Sequence, residues 1–405
     1  MRRTIWRALL ILTAVVAFSC QGRDQAEKIP DANGTIPILA WGGPPANETT
    51  YARYKELAEA GFTHSFTHFP NADSVAAALD VAQAAGIKLL PRTNELRPDP
   101  EGIVRRFMGH PALAGFNLRD EPNIQDFSRL AEQVRRIRTV DDEHILYINL
   151  FPSRATPKQL GVETYQEYVD LFVDTVPIEM LSFDHYPITV DGLRPQWSEN
   201  LEIISKKSID TGMPFWAFAL SLAHRDYPIP SIDHLRLQVY SNLAYGAQGI
   251  QYYRYWTIKS TRHGFHDGPI DIEGKKSVVY DRVKQVNEEI RNLSGVFAGA
   301  KVLHVGRAGT VTSIGTKPSK IMPPFTAIDV ENCEAVVSWL ENGNRKYLVI
   351  VNFGLEGDMN LYIATKRGAN VRRVEKDGIM YPLDSRNYDS VITPGDVNIF
   401  SWSDK

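Results

Sequence analysis

Between about residue 36 and about residue 300 the chain alternates short apolar runs with amphipathic stretches, the pattern that repeated βα units leave in a sequence. Runs with the length and composition of strands fall at residues 36–41, 62–69, 87–91, 112–118, 144–150, 180–186, 214–220 and 249–256. Helical spacing fills the gaps. Residues 51–60 stop at Gly61, residues 74–85 stop at Gly86, and residues 124–139 set Phe127, Leu130, Val134 and Ile137 on one face. Residues 165–174, 197–212 and 231–246 continue in the same style. Eight such units in roughly 260 residues suit a (β/α)8 TIM barrel. The rival, a doubly wound open sheet, carries a glycine-rich phosphate loop after its first strand. Here the first strand runs into Gly42-Gly43-Pro44-Pro45, whose prolines have no amide to offer an anion. The expected fold is therefore α/β, with the barrel over residues 36–300.

Past residue 300 the helical spacing disappears. Residues 311–315, 335–340, 346–353, 359–363, 371–376 and 397–402 read as short strands, and Asn342-Gly343 and Asp377-Gly378 are hairpin turns. Residues 301–405 are expected to form an antiparallel β-sandwich domain.

The first residues belong to neither unit. Arg2, Arg3 and Arg7 precede an apolar stretch over residues 8–18 that is too short to span a bilayer. It ends in Ala17-Phe18-Ser19-Cys20, which resembles a bacterial lipobox with a bulky Phe18. On that reading residues 1–19 are a lipoprotein signal peptide and Cys20 is lipidated. Residues 20–35 are then a tether, and the protein is exported and anchored in the outer membrane, on its periplasmic or its surface face. The alternative is an ordinary secretory signal with an incidental cysteine. With Cys20 lipidated, Cys333 is the only other cysteine, so no internal disulfide is expected. A formal charge of -3 with interspersed signs leaves no basic footprint for nucleic acid.

Barrel enzymes keep their chemistry at the C-terminal ends of the strands. Strand four ends in Arg119-Asp120-Glu121-Pro122, strand six in Asp184-His185-Tyr186-Pro187, and strand eight in Tyr252, Arg254, Tyr255 and Trp256. His64 and His68 end strand two, Asn149 ends strand five, and His224, Arg225, His263 and His266 follow the last two strands. Carboxylates, imidazoles and aromatic rings on one rim suit glycosidic-bond cleavage, which needs one protonated and one ionised carboxyl. Asp120 and Glu121 are adjacent, so their side chains start on opposite faces of a strand, and only a bulge or the strand end lets both reach one cleft. Asp and Glu before a helix can also be a plain cap. His64 and His68 share a face without a third local ligand, so no metal is assigned.

The run Gly115-Phe-Asn-Leu-Arg-Asp-Glu121-Pro122 resembles the strand-four motif of clan A glycoside hydrolases, in which a Glu is the general acid/base. Residues 238–256 resemble the last helix and strand of family 42-type, β-galactosidase-like barrels, and residues 347–352 and 394–402 their C-terminal β-domain. The resemblance implies Glu121 as acid, a carbohydrate substrate and no cofactor. It also implies a nucleophilic Glu at the end of strand seven, where residues 214–222 hold no carboxylate. Asp184 is then the candidate partner, with Glu95 and Asp267 as loop alternatives. A non-catalytic glycan-binding barrel is the other outcome. Trp41, Trp216, Tyr252 and Trp256 are candidate sugar platforms. Arg119, Asp120, His185, Tyr186 and His266 are candidate polar contacts.

Overall fold

The eight alternations become eight parallel strands that close on themselves. The computed structural model describes residues 26–30, 34–383 and 385–403. The strands are β1 (Ile38–Trp41), β2 (His64–Phe66), β3 (Lys88–Leu89), β4 (Gly115–Asp120), β5 (Ile145–Asn149), β6 (Leu181–Phe183), β7 (Phe215–Leu220) and β8 (Gly249–Tyr253). Parallel pairing runs β8–β1–β2–β3 and β6–β7–β8. β4 pairs with β5. Single bridges, Leu89 to Leu113 and Leu150 to Phe183, complete the ring.

Each strand is followed by a helix: α1 (Tyr51–Glu59), α2 (Ala72–Ala85), α3 (Pro100–Phe107), α4 (Phe127–Arg138), α5 (Tyr165–Thr175), α6 (Gln196–Thr211), α7 (Ile232–Ala244) and α8 (Val278–Asn292). Most starts are capped by a side-chain oxygen, from Thr50, Asn71, Asp99, Thr164, Ser231 and Ser277. Gly86 and Gly212 end α2 and α6 in the left-handed region that glycine tolerates.

Strand alternation sorts the barrel's apolar residues into two cores. Ile38, Ala40, Phe116, Leu118, Phe215, Ala217 and Tyr252 pack outward against the helices. Leu39, Trp41, Tyr147, Trp216, Phe218 and Leu220 fill the interior.

The C-terminal region is a sandwich of β9 (Lys301–Gly309), β10 (Phe325–Glu331), β11 (Glu334–Asn342), β12 (Arg345–Asn352), β13 (Met359–Thr365), β14 (Arg372–Val374), β15 (Ile379–Pro382), β16 (Asn387–Ile392) and β17 (Val397–Trp402). A seven-stranded sheet, Glu27–Lys28, β15, β14, β17, β12, β11 and β9 in order, faces a three-stranded sheet, β10, β13 and β16. Phe325, Trp339, Phe400 and Trp402 lie between them. The other face of the larger sheet continues the outer barrel core through Val336, Tyr347 and Val349. There Ser338 Oγ donates to the Ala244 carbonyl at 2.6 Å. Arg307, fully buried, bonds Ser198 at 2.8 Å and stacks 3.7 Å from the Phe353 ring.

Two sequence expectations change here. Glu27 and Lys28, placed in the tether, form an edge strand on β15. Residues 311–315 are not a strand, because the Glu334 carboxylate takes the amides of Thr312 and Ser313 that a ladder would need. β9 occupies that place in the sheet instead. The expected signal peptide and Cys20 lie outside the described residues, and no helix among those described is long and apolar enough to cross a membrane.

Candidate active site

The strand ends open into a cleft of about 250 Å³. β4 contributes Asp120 and Glu121 through two departures from regular strand geometry. Phe116 and Leu118 face the outer core, so plain alternation would send Asp120 outward as well. A bulge between Asn117 and Arg119 resets the register, and Asp120 pairs with Asn149 and lines the cleft. Glu121 follows with φ +45°, a left-handed conformation that an L side chain resists, and its carboxyl lines the cleft too. The adjacent carboxyls are thus brought to one side. The helix-cap role falls to Asn123, whose side chain accepts from the Gln125 amide.

β6 brings Asp184, and β5 brings Asn149, which lies between the acids. Asn149 Nδ2 donates to Asp184 Oδ1 at 2.9 Å and to Asp120 Oδ1 at 3.1 Å. Ser182 Oγ donates to Asn149 Oδ1 at 2.8 Å and fixes the amide's orientation. Below it Gln251 donates to Ser182 at 2.9 Å, and Tyr147 lies 2.7 Å from the same hydroxyl. This buried polar floor holds the carboxyl groups close together in a poorly hydrated place. Burial, then the Asp184 and Asp120 charges, push the Glu121 carboxyl up to about 8. Burial and Asp120 push Asp184 up to about 7, against the bond from Asn149. Burial raises Asp120 as well, opposed by Asn149, Arg92 and Arg119. Near neutral pH the cluster therefore holds protons and charge together, the state that acid–base work requires.

Trp41, Phe218, Tyr186 and Tyr253 give the cleft an aromatic wall. A loop after β6 forms a short hairpin, Ile188–Thr189 with Gly192–Leu193, followed by Arg194. The loop after β7 turns tightly at His224–Tyr227. Arg194 Nη2 binds Asp226 Oδ2 at 2.7 Å, and the Val190 amide donates to the Asp226 carbonyl at 2.8 Å, so the two loops are joined.

Of the residues singled out in the sequence, Trp41, Asp120, Glu121, Asp184 and Tyr186 line the cleft. The others lie elsewhere. Arg119 sits on the outer side of the bulge, bound to Asp126 at 3.2 Å. His185 is buried behind the rim, with Nδ1 3.0 Å from Asn200 Oδ1. Trp216 is inside the barrel one layer lower, edge-on to His64 at 5.7 Å. Tyr252 faces outward against Phe62. Trp256 lies under the Arg53 guanidinium at 5.0 Å. His266 is exposed and bound to Asp267 at 2.7 Å. Glu95 accepts the Ala72 amide at 2.6 Å and supports the start of α2. His64 is half-buried with Nδ1 2.8 Å from the Thr63 hydroxyl, and among the described residues no group of three or more His, Cys, Asp or Glu is gathered for a metal ion.

The sequence reading missed Arg154, Arg194, Asp226, Tyr227 and Phe265, all on loops whose path periodicity does not give; Tyr253, which a one-residue parity error hides; and Phe218, which shares the inward face with Trp216 but lies one layer nearer the rim. His224, Arg225 and His263, noted only as rim residues, line the cleft as well.

Residues 123–293 match the family model of glycoside hydrolase family 42, described as β-galactosidase. The match begins two residues past Glu121 and spans β5 to β8. Gan42B, a GH42 β-galactosidase from G. stearothermophilus, superposes with a TM-score of 0.63 at 8% identity, covering 94% of this chain and 100% of that one. A GH27 β-L-arabinopyranosidase from Geobacillus stearothermophilus superposes with a TM-score of 0.51 at 10% identity, over 92% of this chain and 97% of that one. The β-galactosidase of Marinomonas ef1 matches at 9% identity and a TM-score of 0.45, over 63% of this chain, which spans 59% of that protein's chain. No curated relative matches at the level of sequence.

Proposed function

We propose that this chain, a clan A-type glycoside-hydrolase barrel of the β-galactosidase-like kind, cleaves a glycosidic bond of an oligo- or polysaccharide with Glu121 as general acid. The observation that carries the reading is Glu121 itself. A glutamate held at φ +45° on the C-terminal tip of β4 keeps a proton near neutral pH beside a second cleft carboxyl. Non-glycine residues in that conformation cluster where function requires them. Glu121 protonates the leaving oxygen, and Asp184, ionised, attacks the anomeric carbon or activates water. Asn149 holds Asp184 in place, and Arg92 and Arg119 oppose the rise that burial imposes on Asp120. Trp41, Tyr186 and Tyr253 supply apolar faces for a sugar ring.

The test is turnover of a panel of aryl glycosides and glycans, beginning with aryl β-galactosides, by wild type, Glu121→Gln and Asp184→Asn. Glu121→Gln should abolish cleavage of glycans while retaining more activity on activated aryl leaving groups, which need no proton. Equal activity of Glu121→Gln and wild type on glycans refutes the assignment. One feature favours a second reading, a surface glycan-binding protein: β7 presents Phe218 and Leu220 inward and no carboxylate. Binding without turnover across the panel is its outcome. Export and anchoring through a lipidated Cys20 belong to the same proposal, and fatty-acid labelling lost in Cys20→Ala is the check.

A further inference from the structure

The cleft is not evenly charged. Its acids, Asp120, Glu121 and Asp184, gather at the tips of β4 and β6, and its guanidiniums arrive on loops. Arg194 is neutralised by Asp226 at 2.7 Å. Arg154, after β5, and Arg225, after β7, are exposed side chains that line the same cleft and make no ion pair or hydrogen bond among the described residues, although the Arg154 charge reaches Glu121 and Asp184 and opposes the rise of both. They flank the loop that carries Asp184.

Arg225 is also held at a conformational cost. It occupies the first central position of a tight turn closed by His224 N to Tyr227 O at 3.2 Å and Tyr227 N to His224 O at 2.8 Å. Its φ is +51°. Turns of this kind ordinarily take Gly, Asn or Asp there. An arginine in that position forgoes the easy backbone and sets a charged fork at the cleft, where strain is commonly tied to function. Neutral sugars are satisfied by amides, hydroxyls and carboxylates. Guanidiniums with no direct hydrogen-bond partner suit a planar carboxylate or a sulfate ester, which they bind through charge-assisted, bidentate bonds.

We infer that the sugar seated beside Glu121 is anionic, a uronic acid or a sulfated residue, with its charged group held between Arg154 and Arg225. This rests on the glycoside reading of the cleft but is tested apart from turnover. Wild type and Glu121→Gln are titrated calorimetrically with oligogalacturonides, sulfated galacto-oligosaccharides and neutral galacto-oligosaccharides. One anionic class should bind at least about tenfold more tightly than the neutral one, and which class does so separates carboxylate from sulfate. Arg225→Gly, which suits the left-handed backbone and so retains the fold, should collapse that ratio. Arg225→Lys should restore part of it. Equal or tighter binding of the neutral ligands, no detectable binding of either anionic class, or a ratio unchanged in both Arg225→Gly and Arg154→Gln overturns the inference. Binding selectivity without turnover would sink the hydrolase reading and leave this one standing. Turnover without selectivity would do the reverse.

Discussion

The Glu121 amide donates to the Asn149 carbonyl at 2.8 Å, so the candidate acid is tied through its main chain to the residue whose side chain bridges Asp120 and Asp184. One asparagine thereby sets the spacing of all three carboxyl groups. Replacing it with alanine removes two bonds that favour the ionised acids and leaves Ser182 without its acceptor. Asn149→Ala should move the acidic limb of the pH–rate profile upward by about one unit and lower unfolding free energy by about 1–3 kcal/mol. A pH profile superimposable on wild type would dissociate Asn149 from the charge state of the site.

The proton on Glu121 also leaves a mark on stability. Its carboxyl titrates at about 8 in the fold against an ordinary value of 4.5. Between those values the native protein keeps a proton that the unfolded chain releases, so the contribution is complete below 4.5 and lost as pH rises through 8. Glu121→Gln removes that loss. The variant should match wild type near pH 4 and exceed it by on the order of 1 kcal/mol at pH 8–9. Denaturant midpoints measured at both ends settle it, and a variant less stable at pH 9 than at pH 5 relative to wild type contradicts the assignment.

Adjacent tyrosines on β8 should behave oppositely. Tyr252 is fully buried on the outer face and its hydroxyl has no hydrogen-bond partner among the described residues, whereas Tyr253 lines the cleft 5.4 Å from the Tyr186 ring. Tyr252→Phe should change neither glycan affinity nor turnover. Tyr253→Ala should weaken glycan binding by about tenfold, the scale of one lost ring contact. Calorimetry on the two variants reads both outcomes.

Arg307 fastens the sandwich to the barrel from a fully buried position, between Ser198 and Glu334 and against Phe353. Arg307→Ala leaves Glu334 buried without its cation and should cost about 3–5 kcal/mol. The same loss should split a single thermal transition into two, which scanning calorimetry resolves.

How much of this was legible in the sequence depends on what each signal encodes. Strand order and number followed from alternation, because burial on both faces of a parallel strand leaves an apolar run that turns cannot mimic. Glu121 and Asp184 were legible because they end such runs. Of the wall residues, Trp41 and Tyr186 were legible for the same reason, and Tyr253 was not. Tyr252 and Tyr253 differ by one position, and the pattern alone does not tell which face looks inward. Arg154 and Asp226 stand on loops, where no period constrains the path. In the sandwich, β9 went unread because His304 and the exposed Lys301 and Leu303 break its alternation.

The bulge in β4 makes the site depend on a residue that never enters it. Leu118 belongs to the outer core, yet it is one of the two residues that take up the extra step opposite β5. If Leu118 instead took a regular place in the ladder opposite Ile148, plain pleating would turn Asp120 toward the helices and leave every functional side chain present in the chain. The cleft is encoded by the register of a strand as much as by the letters within it, so a chain that kept the motif but paired this strand without the extra step would discard the chemistry.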